Sequence, residues 1–247
     1  MPIKLRKKWN SVLLVVIALI IPYIIHYTHL EVTYENSCIM DALRLLLQSK
    51  CLDIIILMVA IYESFRITDY SVSVILLSGS KKKVLRDEII DSMFVSAFIA
   101  ILCMLTAIVM GYIGCEARWM NWMDTSSRYA QIITGYRGYH TTIALTVFLG
   151  FLFIFLQILV TLLMIICNYW FLNSCIYALL LIGIVSIADM GFQNIFYDRF
   201  TIKTYMWSAP GYEVVINILV LLLLFIAIGI LLMRFSGRKE FFHGRDD

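Results

Sequence analysis

RITDYSVSVILLSGSKKKVLRDEIID, residues 66–91, is the one long run of polar and charged residues that interrupts an otherwise apolar chain on its basic side. Ile67, Tyr70, Val74 and Leu77 recur at helical spacing, while Thr68, Asp69, Ser71 and Ser73 take the other faces. That pattern predicts a short helix with a single apolar stripe, the kind that lies on a membrane or in a partner's groove. Ser78-Gly79-Ser80 then turns the chain, and Ser80 is placed to cap a new helix. Lys81, Lys82, Lys83 and Arg86 load its first turns before an apolar run begins at Ile89. Lysine and arginine gather on the cytoplasmic side of membrane spans. The loop is therefore read as cytoplasmic, and as the place where a soluble partner pushes on the membrane part.

Working outward, hydrophobic residues make up 62% of the 247 positions and charged residues 15%, with a mean hydropathy of +0.88. An ordinary soluble domain has about 45–50% and about 25%. The expected fold is an all-α integral membrane protein, with almost the whole length consumed by runs long enough to cross a bilayer. Six spans are expected, at about 11–28, 51–66, 92–114, 141–167, 174–190 and 213–233, in a single membrane domain covering 1–247. A basic amphipathic lead-in with Lys4, Arg6, Lys7 and Lys8 precedes the first span. The 30–50 stretch falls outside, with DALRLLL (41–47) read as a short surface helix. Residues 116–140, rich in Trp and Tyr, suit a membrane interface. Asn168-Tyr169-Trp170-Phe171-Leu172-Asn173 is read as a tight inside turn. The long 191–212 segment, broken by Pro210, is suited to re-entrant helices between spans five and six, which are tolerated where protein or water satisfies the backbone. This layout puts both termini in the cytoplasm, with Lys and Arg biased about two to one toward the inside, and places the chain in the plasma membrane.

Several side chains stand out against that background. Glu63, near the inner end of the second span, is read as a gate or as the ion-pair partner of Arg66 three positions on. Asp53 sits near the outer end of the same span, at an interface or a polar groove. Asp189 and Glu213 bracket the last outer segment; with Gln193, Asn194 and Asn217 they either line an outer vestibule or simply mark where two spans meet water. His26 and His29 share a spacing that puts them on one face, but two ligands do not make a metal site. The six cysteines show no CxxC or metal-ligand spacing; Cys38 and Cys115 both fall outside, which leaves a disulfide between them open. No GxxxxGK[ST], HExxH or GxSxG occurs, and the four histidines lie at span ends or in tails, which argues against an enzyme. Nothing in the charge pattern asks for nucleic acid, and no metal or cofactor is expected on this chain.

The order of elements resembles the membrane subunit of type-2 ABC exporters, a permease family that includes small bacterial drug, polysaccharide and peptide-bacteriocin exporters. The local match is YESFRITDYSVSVILLSGSKKKVLRDEII (62–90): an acidic residue ending the second span, here Glu63, then an interfacial coupling helix, a small-residue turn with basic residues, here Ser78 to Lys83, and a charged start to the third span. The Gly-Thr pair often found after the acidic residue is replaced here by Ile67-Thr68. The resemblance implies a bacterial homodimer or heterodimer of permeases. Two separate cytoplasmic ATPases, which hold the ATP and Mg, would dock on Ile67, Tyr70, Val74, Leu77, Ser78, Gly79, Lys81, Lys82 and Lys83. It also implies export of, or immunity against, an amphipathic peptide or hydrophobic compound. The alternative is a non-transporting membrane scaffold or sensor subunit whose basic loop binds lipid or a signalling protein.

Overall fold

Thirty consecutive residues, Ile143–Leu172, form the helix on which the others lean. Two-thirds of its most apolar stretch is buried, 67% against 33% and 22% for the other two long apolar helices, which makes it the centre of the bundle. The computed structural model describes residues 3–68, 81–115, 118–132, 142–172, 174–191 and 212–235. Among them every regular element is helical: α1 (Ile3–Val32), α2 (Ile39–Leu46), α3 (Ser49–Thr68), α4 (Lys81–Gly114), α5 (Arg128–Ile132), α6 (Ile143–Leu172), α7 (Ile176–Gly191) and α8 (Tyr212–Phe235). The central helix α6 packs on α8, α4, α3 and α7, while α1 joins α2, α3 and α4 on the other flank. One end of the bundle, here the upper end, holds the finish of α1 and α4 and all of α2. The lower end holds the finish of α3 and α6 and the start of α4.

Side-chain size is distributed as a lipid solvent requires. In α4, Ser92, Ser96, Ala100, Cys103, Ala107 and Gly111 face the bundle, whereas Phe94, Phe98, Leu105, Val109 and Tyr112 are each at least half exposed. Small residues inward let helices approach closely where no water drives association, and large apolar ones outward fill the hydrocarbon. A stripe of that size facing water would be a gross liability. In α1 the inward ridge is Val16, Ile20, Ile24 and Thr28, four residues apart. Three helices are long and apolar enough to cross a membrane, at 82–114, 143–172 and 213–234. The bent pair α2–α3 makes a fourth if counted as one broken span, and Leu13–His29 and Ile176–Ala188 are shorter apolar helices.

Two readings of the sequence are corrected. The DALRLLL helix is not on the surface: all eight residues of α2 are buried, Asp41 and Arg44 included. It meets α3 at a 53° bend, so the broken helix among the described residues is the pair α2–α3. The turn expected over 168–173 does not start there either. Helix α6 runs on to Leu172, because Trp170 is held against α4 by its Nε1–H donating to Glu88 Oε2 at 2.9 Å. The 191–212 segment, where re-entrant helices are expected, lies almost wholly outside the described residues.

Backbone proximity explains how α2 sits so deep. A Cβ added to Gly111 would stand 2.8 Å from Ile39 Cα and 2.9 Å from its carbonyl oxygen, so only glycine lets α4 lie against the first turn of α2. Just before that turn, Asn36 adopts a left-handed conformation, φ 62°, which asparagine tolerates better than most residues.

Candidate functional site

Three regions gather polar groups. At the lower end, Arg66 grips Glu63 with both arms of its guanidinium: Nε donates to Oε2 at 2.8 Å and Nη2 to Oε1 at 2.5 Å. The spacing of three on one helix places the two on the same face. Both are almost fully buried, at 5% and 1% exposure, so the fork-to-fork geometry compensates the loss of water by both charges. Ile67, next along, is fully buried. Where the chain is described again, Lys81 opens α4, Lys82 and Lys83 are exposed, and Val84 and Leu85 are buried. Tyr70, Val74, Leu77, Ser78 and Gly79 lie outside the described residues, as does the side chain of Lys81. Among the described residues, the two helices that the loop joins do not pack extensively on each other; α3 leans on α1, α6 and α7, and α4 on α1, α2 and α6.

At the upper end a buried carboxylate organises the cap. Asp41 Oδ2 accepts the backbone N–H of Cys38 at 2.9 Å, and Oδ1 accepts Trp122 Nε1–H at 3.0 Å with Arg44 Nε 3.5 Å away. Trp122 stacks on Tyr129, their rings 4.4 Å apart. The strand of chain from Arg118 onward closes over α2 through its backbone: Ile39 N–H donates to Arg118 O at 2.9 Å, and the Asn36 carbonyl accepts Asn121 Nδ2–H at 2.7 Å and Arg128 N–H at 3.2 Å. Arg128 lies over the Tyr34 ring, 4.0 Å from its centre. Cys38 and Cys115 are both free thiols here. Burial, with the Asp41 carboxylate adding to it, pushes Cys38 up to about 12 and Cys115 up to about 11. Both are inert thiols at neutral pH rather than thiolates. His26 and His29 are exposed, and no three His, Cys, Asp or Glu residues form a group that would hold a metal among the described residues.

Of the expected vestibule, Gln193 and Asn194 lie outside the described residues, as does the side chain of Asp189. Glu213 is half-buried and Asn217 fully buried. The third polar region is a different one, lower in the bundle. A cavity of about 250 Å³ lies among α3, α6, α7 and α8, walled by Ile56, Val160, Ile182 and Leu221 and carrying Asp53, Gln157, Thr161 and Ser186. Asp53 is 5% exposed and Ser186 2%, and Gln157 sits halfway along the thirty residues of α6. The sequence reading set Asp53 at a span end or a polar groove and did not connect it to Gln157, Thr161 or Ser186. A signal was present in the sequence: Gln157 and Thr161, four apart, are the polar residues of an otherwise apolar run from Phe148 to Ile166. No family model, curated protein or solved structure matches the chain.

Proposed function

We infer that the chain is the membrane subunit of an ATP-driven exporter of the type-2 ABC class, with its lower end in the cytoplasm and six spans formed by α1, the bent pair α2–α3, α4, α6, α7 and α8. One observation supports this most: both ends of the 69–80 loop are anchored in the bundle. Upstream, the Glu63–Arg66 pair and buried Ile67 fix the last turn of α3. Downstream, Val84, Leu85 and Glu88 are buried at the start of a 34-residue α4 that runs unbroken to the upper end. A push on such a loop is delivered to two long levers that share α1 and α6 as neighbours, while α3 also packs on α7 and α4 on α2. The chain carries no nucleotide-binding motif of its own, so the push comes from a separate ATPase. A second permease copy completes the pathway, and the cargo is an amphipathic peptide or a hydrophobic compound.

The test is copurification. Full-length protein solubilised from its native membrane should bring down a nucleotide-binding subunit. Val74→Asp with Leu77→Asp should abolish that association while the protein stays folded. Protein that recovers no ATPase, with the double substitution silent in the native host, sinks the transporter reading in favour of a scaffold.

A further inference from the structure

The cavity among α3, α6, α7 and α8 is apolar over most of its wall, with an unmet acceptor on one side. Val160, Ile182 and Leu221 make the body of any occupant hydrocarbon. Gln157 lines the same space, and its Oε1 is shut off from solvent with no donor among the described residues. A buried polar atom in that state calls for a partner. The terminal amide of glutamine turns about a soft χ3, so the oxygen can swing to a donor that enters the cavity. Thr161 is not that donor, because its Oγ1–H is given to the Gln157 backbone carbonyl at 2.8 Å. Asp53 already interacts within the protein. The unmet group is therefore the neutral amide, and the head group it selects is a neutral donor. A cavity of ~150 Å³ accommodates one benzene ring, and this one, at about 250 Å³, has room for a ring and a short arm. Leu181 lines the cavity and is also 50% exposed, so the cavity reaches the apolar flank of α7 and is entered from lipid.

We propose that this cavity binds a neutral, lipid-soluble molecule with a single hydroxyl group, an alcohol or phenol of roughly nine to twelve non-hydrogen atoms. The hydroxyl donates to Gln157 Oε1, and the hydrocarbon fills the space against Val160, Ile182 and Leu221. An ether of the same size has nothing to donate and leaves the amide oxygen unmet. The assignment does not rest on the exporter reading, because binding needs neither ATP nor a partner subunit.

The probe is radiolabelled 4-propylphenol, neutral at pH 7 because a phenol ionises near pH 10, added to the full chain in nanodiscs of phosphatidylcholine. The competitors are 4-propyltoluene, in which a methyl group replaces the hydroxyl, and 4-propylanisole, whose ether oxygen only accepts. They are compared at equal concentration in the lipid. Saturable binding above that of empty nanodiscs is expected, with unlabelled 4-propylphenol displacing the probe about fivefold or more better than either competitor. Gln157→Leu, which keeps the bulk and removes the acceptor, should erase that preference. Val185→Trp, which fills the cavity and leaves Gln157 in place, should abolish binding. Probe retention no greater than in empty nanodiscs overturns the proposal, as does equal displacement by either competitor. Both of those readings use the unaltered protein, so they decide the matter even where a variant does not fold. An undiminished preference for the phenol in a folded Gln157→Leu protein overturns it as well.

Discussion

Replacing Gly111 with alanine tests whether α2 is seated where the structure puts it. The new methyl group would fall 2.8 Å from Ile39 Cα and 2.9 Å from Ile39 O, both backbone atoms that no rotamer change can move. Ordinary contact begins near 3.4 Å, so α2 and α4 must part by about 0.6 Å. That displacement strains the adjoining hydrogen bonds, Ile39 N–H to Arg118 O and Met40 N–H to Trp119 O. Overpacking of this kind costs about 1–3 kcal/mol, and alanine's better helix propensity returns up to about 1 kcal/mol. The net is a loss of ~1–2 kcal/mol, or roughly 5 °C in Tm for a chain of this size. Three other glycines calibrate the result. Gly150 would meet the Leu47 side-chain tip at 3.3 Å, with Met104 and Leu43 side-chain ends at ordinary contact, and Gly183 and Gly229 would meet nothing within 4 Å. The assay is thermal unfolding in detergent followed with a thiol-reactive fluorogenic maleimide, which reports exposure of buried Cys38, Cys51 and Cys103. The expected order of Tm is Gly183→Ala and Gly229→Ala at or above the parent, Gly150→Ala slightly below, and Gly111→Ala lowest. A Gly111→Ala protein as stable as Gly183→Ala refutes the buried placement of α2.

Two further outcomes follow from the two ends of the bundle. Glu63→Gln alone removes the carboxylate that grips the buried Arg66 guanidinium and should cost about 3–5 kcal/mol, whereas Glu63→Gln with Arg66→Met should recover most of that loss, as a double-mutant cycle on Tm would show. Cys38 and Cys115 should resist a membrane-impermeant maleimide at pH 8 in intact membranes and react fully after denaturation. Because burial raises both thiols above the ordinary value of 9.0, the native form keeps its protons while the unfolded form begins to lose them. Their contribution to stability is complete below about pH 9 and is lost between there and about pH 11–12, measurable as a falling Tm across that window.

What could be read from the sequence was whatever lay within a few residues or depended on solvent class. The long apolar helices α4, α6 and α8 follow from composition and run length alone. Glu63 and Arg66, three apart, are a local signal, and the structure brings them into contact. Helix α2 was illegible for a physical reason: Asp41 and Arg44 read as water-facing, and the Trp122 side chain that lets Asp41 be buried comes 81 residues later. The same holds at the lower end, where Trp170 continues α6 only because Glu88 lies on another helix 82 residues away. The cavity around Asp53 escaped notice because its polar members come from three helices, and each taken singly is an unremarkable residue in a span.

The seating of α2 constrains how the chain is made. Asp41 and Arg44 leave the ribosome long before Trp122 does, and at about 5–20 residues per second the wait is some 4–16 seconds. Throughout that interval the Asp41 carboxylate lacks the Trp122 donor that it has in the finished fold. The upper cap of the bundle is therefore completed out of sequence order, because the Asp41–Trp122 hydrogen bond forms only after the chain that follows α4 has been translated.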